Sequence, residues 1–169
     1  MNFNLIEDAK VVNLQPPKDI SSSAFAAAYV KLDHYGRVDF IINTGVNGVS
    51  SASVAVTFTQ ATNTSGSSSA AIPVVFYHKN STALGSASVA NDTFAKTSVA
   101  SSAATFNLHA SATANVQYVV GFDAEELTDG KNSIGIAIAK TAAATLMNVT
   151  AILTNPRYRS AAATTKTAI

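Results

Sequence analysis

Polar and apolar residues alternate along much of this chain with a period of two. Val54, Val56 and Phe58 alternate with Ser53, Ala55, Thr57 and Thr59, and Phe106 and Leu108 alternate with Thr105, Asn107 and His109. The same parity runs through Val38, Phe40 and Ile42, through Val116, Tyr118, Val120 and Phe122, and through Ile134, Ile136 and Ile138. Successive side chains of an extended strand point to opposite faces of a sheet, so each set predicts a strand with one buried and one hydrated face. Less regular stretches at 10–14, 29–32, 72–79, 93–99 and 145–153 are rich in β-branched and aromatic residues and predict further strands.

Turn formers separate these segments: His34-Tyr35-Gly36, residues 45–48, 63–69 and 80–88, and Asp129-Gly130. Short strands at a spacing of roughly 8 to 15 residues, without amphipathic helices between them, predict an all-β fold. The expected architecture is an antiparallel β-sandwich or jelly roll of about nine strands. Asp123 to Leu127, with Ala, Glu and Glu after an acidic start, predicts a single helical turn. The alanine runs at 26–28 and 142–144 lie among Tyr, Val, Thr and Ser and do not predict helices. No fixed repeat is visible, which removes solenoids and propellers.

Both ends break the pattern. Pro16 and Pro17 cannot donate ladder hydrogen bonds, so residues 1–18 are expected to form an extended arm after one short strand. Residues 19–155 are expected to form the sandwich. Residues 156–169 have too little patterned hydrophobicity to fold alone and are expected to be a tail that a neighbouring chain orders.

Composition narrows the function. At 169 residues the chain can bury one full core. Charged residues make up only 12% of it, about half the usual share, and its polarity comes mainly from Ser and Thr hydroxyls. Such a surface hydrates well but repels its own copies weakly, which favours packing against neighbours. Eleven basic and ten acidic residues, scattered along the chain, give a net charge of +1 and no footprint for nucleic acid or acidic lipid. There is no cysteine, hence no disulfide or thiolate chemistry. No apolar run approaches the roughly 18 residues of a membrane span. Glu7 and Asp8 stand where a secretory signal would be basic and then apolar, so neither membrane insertion nor Sec-type export is expected.

Candidate chemistry is sparse. His34, His78 and His109 are far apart in sequence and share no metal-ligand spacing. Nothing nominates a nucleophile or carboxylate to partner any of them, so ordinary structural roles are expected. Asp123, Glu125, Glu126 and Asp129 could in principle offer oxygen ligands to a cation, but without EF-hand spacing a solvated turn is the simpler reading. Gly45 to Gly48 lacks the lysine and helix of a phosphate loop. Four Asn-x-Ser/Thr sites, at Asn63, Asn80, Asn91 and Asn148, are about what so Ser/Thr-rich a chain yields by chance. With no tryptophan and the aromatics mostly on the buried parity, no exposed stacking platform for sugars or bases is expected. No cofactor, metal or catalytic residue is expected. Arg157, Tyr158 and Arg159 open the tail, where a guanidinium could clamp a neighbour's carboxylate. With Pro16 and Pro17 they are the candidate assembly contacts.

Several stretches carry a resemblance: Val12 through Pro16-Pro17, Tyr29-Val30-Lys31-Leu32-Asp33-His34-Tyr35, Val38 to Gly45, Thr57-Phe58-Thr59-Gln60-Ala61, and Pro156-Arg157-Tyr158. In these the chain resembles small virion proteins of tailed bacteriophages, of the capsid decoration or cement type. The resemblance implies a β-sandwich or jelly roll on the capsid surface that bridges major capsid protein subunits, often as a homotrimer or other homo-oligomer. The Ala- and Ser-rich loops depart from that pattern and leave other virion stations, such as tail tube or minor head protein, open. From a different class, a carbohydrate-binding or adhesin module is the alternative, since sandwiches often present ligands at edge loops. A hydrolase on a β scaffold has no sequence support.

Overall fold

In the computed structural model, which describes residues 5–45, 53–80, 94–100, 103–109, 115–142 and 144–156, each alternating segment of the sequence is an extended strand. In chain order the strands are β1 (Lys10–Asp19), β2 (Phe25–Lys31), β3 (Tyr35–Thr44), β4 (Ser53–Ala61), β5 (Ala70–Ala71) and β6 (Phe76–Asn80). They continue with β7 (Phe94–Ser98), β8 (Thr105–His109), β9 (Val116–Asp123), β10 (Ser133–Ile138) and β11 (Leu146–Pro156). A four-residue helix, α1 (Leu5–Asp8), precedes them, and the expected helical turn is a single 3-10 turn at Ala124–Glu126. Glu126 closes that turn by accepting a hydrogen bond from the Asp123 backbone N–H at 2.8 Å.

The strands pair in a nested order. The first pairs with the last, β1 with β11; β2 pairs with β10, β3 with β9, and β4 with β8, all antiparallel. This long two-stranded ribbon is folded over so that β11 also pairs with β3 and β10 with β4. Two packed sheets result, one containing β1-β11-β3-β9 and the other β2-β10-β4-β8. Nested pairing and this strand order define an eight-stranded jelly roll. The remaining three strands form an excursion between β4 and β8, at the tip of the ribbon. Within it, β5 pairs with the end of β4, and β6 joins the free edge of β9 and carries β7 outside it.

The inward residues are those of the sequence pattern. Val38, Phe40 and Ile42 face Val54, Val56 and Phe58 across the sandwich, and all six are fully buried. At the centre Phe58 lies 5.2 Å from Phe40 and 5.0 Å from Phe122, both of the opposite sheet, and stacks at 6.2 Å on Phe106 of its own sheet. Burying each such ring stabilises the fold by roughly 1.5–3 kcal/mol.

Two expectations change. The chain has eleven strands rather than about nine among the described residues, because β5 is only two alanines long and the excursion is a separate unit. The first strand is ten residues long and takes in Pro16 and Pro17, where a short strand and then an arm were expected. Prolines are tolerated there because β1 is the edge of its sheet and bulges at those residues.

Polar contacts pin the turns. The Asp19 carboxylate at the end of β1 accepts from the backbone N–H and hydroxyl of Ser21, both at 2.9 Å, and from the Thr145 N–H at 3.1 Å. It thus ties the β1–β2 turn to the start of β11. The buried Gln60 donates to Thr128 Oγ1 at 2.9 Å and accepts from the Thr128 N–H at 2.7 Å, which holds the loop before β10 against β4. On the outer face of the second sheet, the Tyr29 ring lies across Gly135 and its hydroxyl meets Thr59 Oγ1 at 2.9 Å. A side chain at Gly135 would place its Cβ 2.5 Å from the ring.

Candidate functional site

The excursion makes the two sheets unequal. The sheet with β9 extends by two strands beyond its jelly-roll width, while its partner ends at β8 and the short β5, which share the same edge of β4. Strand β6 is still covered, because Tyr77 stacks on Phe106 of β8 at 5.2 Å and meets Tyr118 edge-on at 5.7 Å. Strand β7 is not: all five of its residues are exposed, on both faces. Phe94 at its start is 47% exposed, and the Lys96 ammonium lies 3.8 Å over the Phe76 ring. Among the described residues, no strand pairs with the outer edge of β7.

The opposite edge of the same sheet is built differently. Between the Gln15–Val149 and Lys18–Met147 pairs, β1 has two residues, Pro16 and Pro17, where β11 has one, Asn148; a second register shift follows Asn13. Prolines and bulges interrupt the row of donors that an incoming strand would need. Among the described residues, one edge of the sheet is therefore blunted and the other is open.

Two features occupy the outer face of this sheet. Near one end, Arg37 on β3 donates to both oxygens of Asp39 at 2.7–3.1 Å and to Asp123 at 3.2 Å. Its guanidinium lies over Gly121, where a Cβ would collide with it. The hydrogen bonds to Asp39, opposed by partial burial, raise the Arg37 pKa above its ordinary value and keep the group charged. Near the other end is a cleft of about 300 Å³ beside the proline bulge, with Asn43, Asn115 and Asn148 among its lining.

No protein family and no curated protein matches this chain. Its fold is similar to that of a solved crystal structure, the SPBc2 prophage-derived protein YomS, with a TM-score of 0.44 and 10% sequence identity over 86% of this chain and 93% of that one.

The residues that sequence reasoning singled out are dispersed. Pro16 and Pro17 lie at the β1 bulge. Arg157, Tyr158 and Arg159 lie outside the described residues. His78 and His109 belong to different sheets, and His34 is exposed in the β2–β3 turn. The acidic turn is held within the protein, Asp123 by Arg37 and Glu126 by the Asp123 N–H. Among the described residues, no three His, Asp or Glu side chains gather as a metal site, and no helix is long and apolar enough to cross a membrane. Sequence reasoning missed the carboxamide cleft, whose residues come from separate strands, and the overhang of β7. For the overhang a signal existed: the stretch 93–99, expected from its composition to be a strand, has no clean alternation.

Proposed function

We propose that this chain is a structural protein of a tailed-phage virion that decorates the capsid and braces it by bridging major capsid protein subunits. The observation that carries the reading is the contrast between the two edges of the larger sheet. An open edge strand, exposed on both faces and without proline, is a template for pairing with another chain, and proteins ordinarily blunt such edges. Here β1 is blunted and β7 is not. Strand addition along β7 would use its free backbone groups for affinity and Phe94 for packing. The low charge of the surface and the sequence resemblance to virion proteins support the same reading. Many weak edge contacts, multiplied by the symmetry of a shell, would give firm attachment without a large single interface. The role is mechanical and assigns no catalysis, cofactor or nucleic acid contact to the chain.

The test is binding of the purified chain to particles that lack it. Wild-type protein should bind in a fixed ratio to the major capsid protein and raise the temperature at which the particles rupture. Lys96→Pro, which removes an N–H on the outer edge of β7 and leaves its ladder to β6 in place, should lower occupancy at least about tenfold, the equivalent of roughly 1.4 kcal/mol. Its thermal unfolding should stay close to that of the wild type. Removing residues 156–169, which include Arg157, Tyr158 and Arg159, should also weaken attachment while leaving the fold intact. Particles that neither bind the chain nor gain heat resistance would refute the reading.

A further inference from the structure

The cleft beside the proline bulge has its own chemistry. Two prolines of β1 stand opposite the single residue Asn148, so the edge strand is displaced from its neighbour at that point and the outer face of β11 is left open. Across the sheet the register then aligns three carboxamides, Asn148 beside Asn43 and Asn43 beside Gln117. Gln117 Nε2 donates to Asn43 Oδ1 at 2.8 Å, which fixes the Asn43 amide and leaves its NH2 group without a partner among the described residues. The Asn148 and Asn115 carboxamides likewise have no partner among those residues. Pro17 and Leu146, the latter 57% exposed, add apolar surface at the rim, and none of the described residues lining the cleft is charged.

The Asn115 and Asn148 carboxamides each present two donors and an acceptor with two lone pairs, and Asn43 adds the two donors of its NH2 group. An ionic ligand would find no compensating charge here, and an apolar one would strand the amides without partners. A ligand that both donates and accepts at several closely spaced points, and has one apolar C–H face, satisfies every group. We infer that this cleft binds a neutral saccharide unit, edge-on through Asn43, Asn115 and Asn148, with Pro17 and Leu146 against its C–H face. The volume of about 300 Å³ suits one or two sugar rings. No aromatic platform is required for this geometry, and its absence sets the affinity of a single site in the millimolar range. The cleft adjoins β1, at the edge opposite β7, so a copy attached through β7 would keep it free, and copies on a shell would gain avidity toward a glycan-coated surface. The inference adds a ligand to the proposed structural role but does not depend on it.

The isolated chain is tested by saturation-transfer NMR against neutral mono- to trisaccharides of glucose, galactose, mannose and N-acetylglucosamine, with sialylated oligosaccharides as charged controls. Neutral members should bind with Kd in the millimolar range, more tightly than the charged ones. Asn148→Ala and Asn148→Asp should each weaken binding at least about tenfold with unaltered thermal unfolding. Thr105→Ala, on the other sheet, should leave binding unchanged. Absence of binding by all neutral saccharides up to roughly 10 mM would overturn the inference. So would binding insensitive to both Asn148 substitutions, or occupation of the cleft by a capsid protein peptide in place of sugar. Because particle binding is measured separately, either proposal can fail while the other stands.

Discussion

Replacing Phe58 by alanine removes the ring on which the two sheets meet. Phe58 is fully buried and contacts Phe40 and Phe122 across the sandwich and Phe106 beside it. Lost burial and the residual cavity together place the cost at about 3–5 kcal/mol, of which each ring pair accounts for roughly 0.5–1.5 kcal/mol. For a chain of this length the melting temperature should fall by about 2–4 °C per kcal/mol, so by about 6–20 °C in all. Phe106→Ala, at the edge of the same cluster, should be milder. The decisive quantity is the coupling of the two in a double-mutant cycle, followed by urea unfolding with circular dichroism. Because Phe106 reaches Phe58 only if β8 pairs with β4 at the tip of the nested ribbon, the coupling should be about 0.5–1.5 kcal/mol. A Phe58→Ala cost below about 1 kcal/mol, or strict additivity of the two substitutions, would refute the packing and the strand order from which it follows.

Other consequences are equally measurable. Gly135→Ala puts a methyl group under the Tyr29 ring and should destabilise by about 1–3 kcal/mol in chemical denaturation. Combined with Tyr29→Ala, which vacates the space, the alanine should have much less effect. Arg37→Ala breaks a partly exposed ion cluster and should change stability by less than about 1 kcal/mol, a difference that shrinks further in high salt. Asp19 titrates below its ordinary value, because the Ser21 and Thr145 N–H groups and the Ser21 hydroxyl hold the carboxylate. Its contribution is therefore present above about pH 4 and is lost as pH falls through the lowered folded value. Melting temperatures of wild type and Asp19→Asn should accordingly differ at pH 7 and converge toward pH 2.5; a constant gap would contradict the assignment.

Much of the jelly roll was legible because burial on one face of a strand writes itself into every second residue. Val54-Val56-Phe58 and Ile134-Ile136-Ile138 could be read as strands, with the correct face inward, without any knowledge of partners. Partners were another matter. Periodicity reports that a strand has a buried face but not which strand lies beside it, so the nested pairing of first with last stayed hidden. Ala70–Ala71 was invisible, since two alanines carry no period. Pro16 and Pro17 misled for a physical reason: proline ends most strands, but an edge strand with a bulge tolerates it. Residues of the carboxamide cleft could not be joined from sequence. Asn43, Asn115 and Asn148 meet only through the β3–β9 and β3–β11 registers, and an isolated asparagine in a Ser/Thr-rich chain carries no signal.

The central claim, that this jelly roll is a repeated component of a phage shell attached through its open sheet edge, is tested most directly by cryo-electron microscopy of intact particles made from the genome that encodes it. The account predicts many symmetry-related copies on the outer capsid surface, each with β7 against a major capsid protein subunit and the bulged β1 edge turned away. Absence of the chain from the particle, or a few copies confined to the tail, would contradict it.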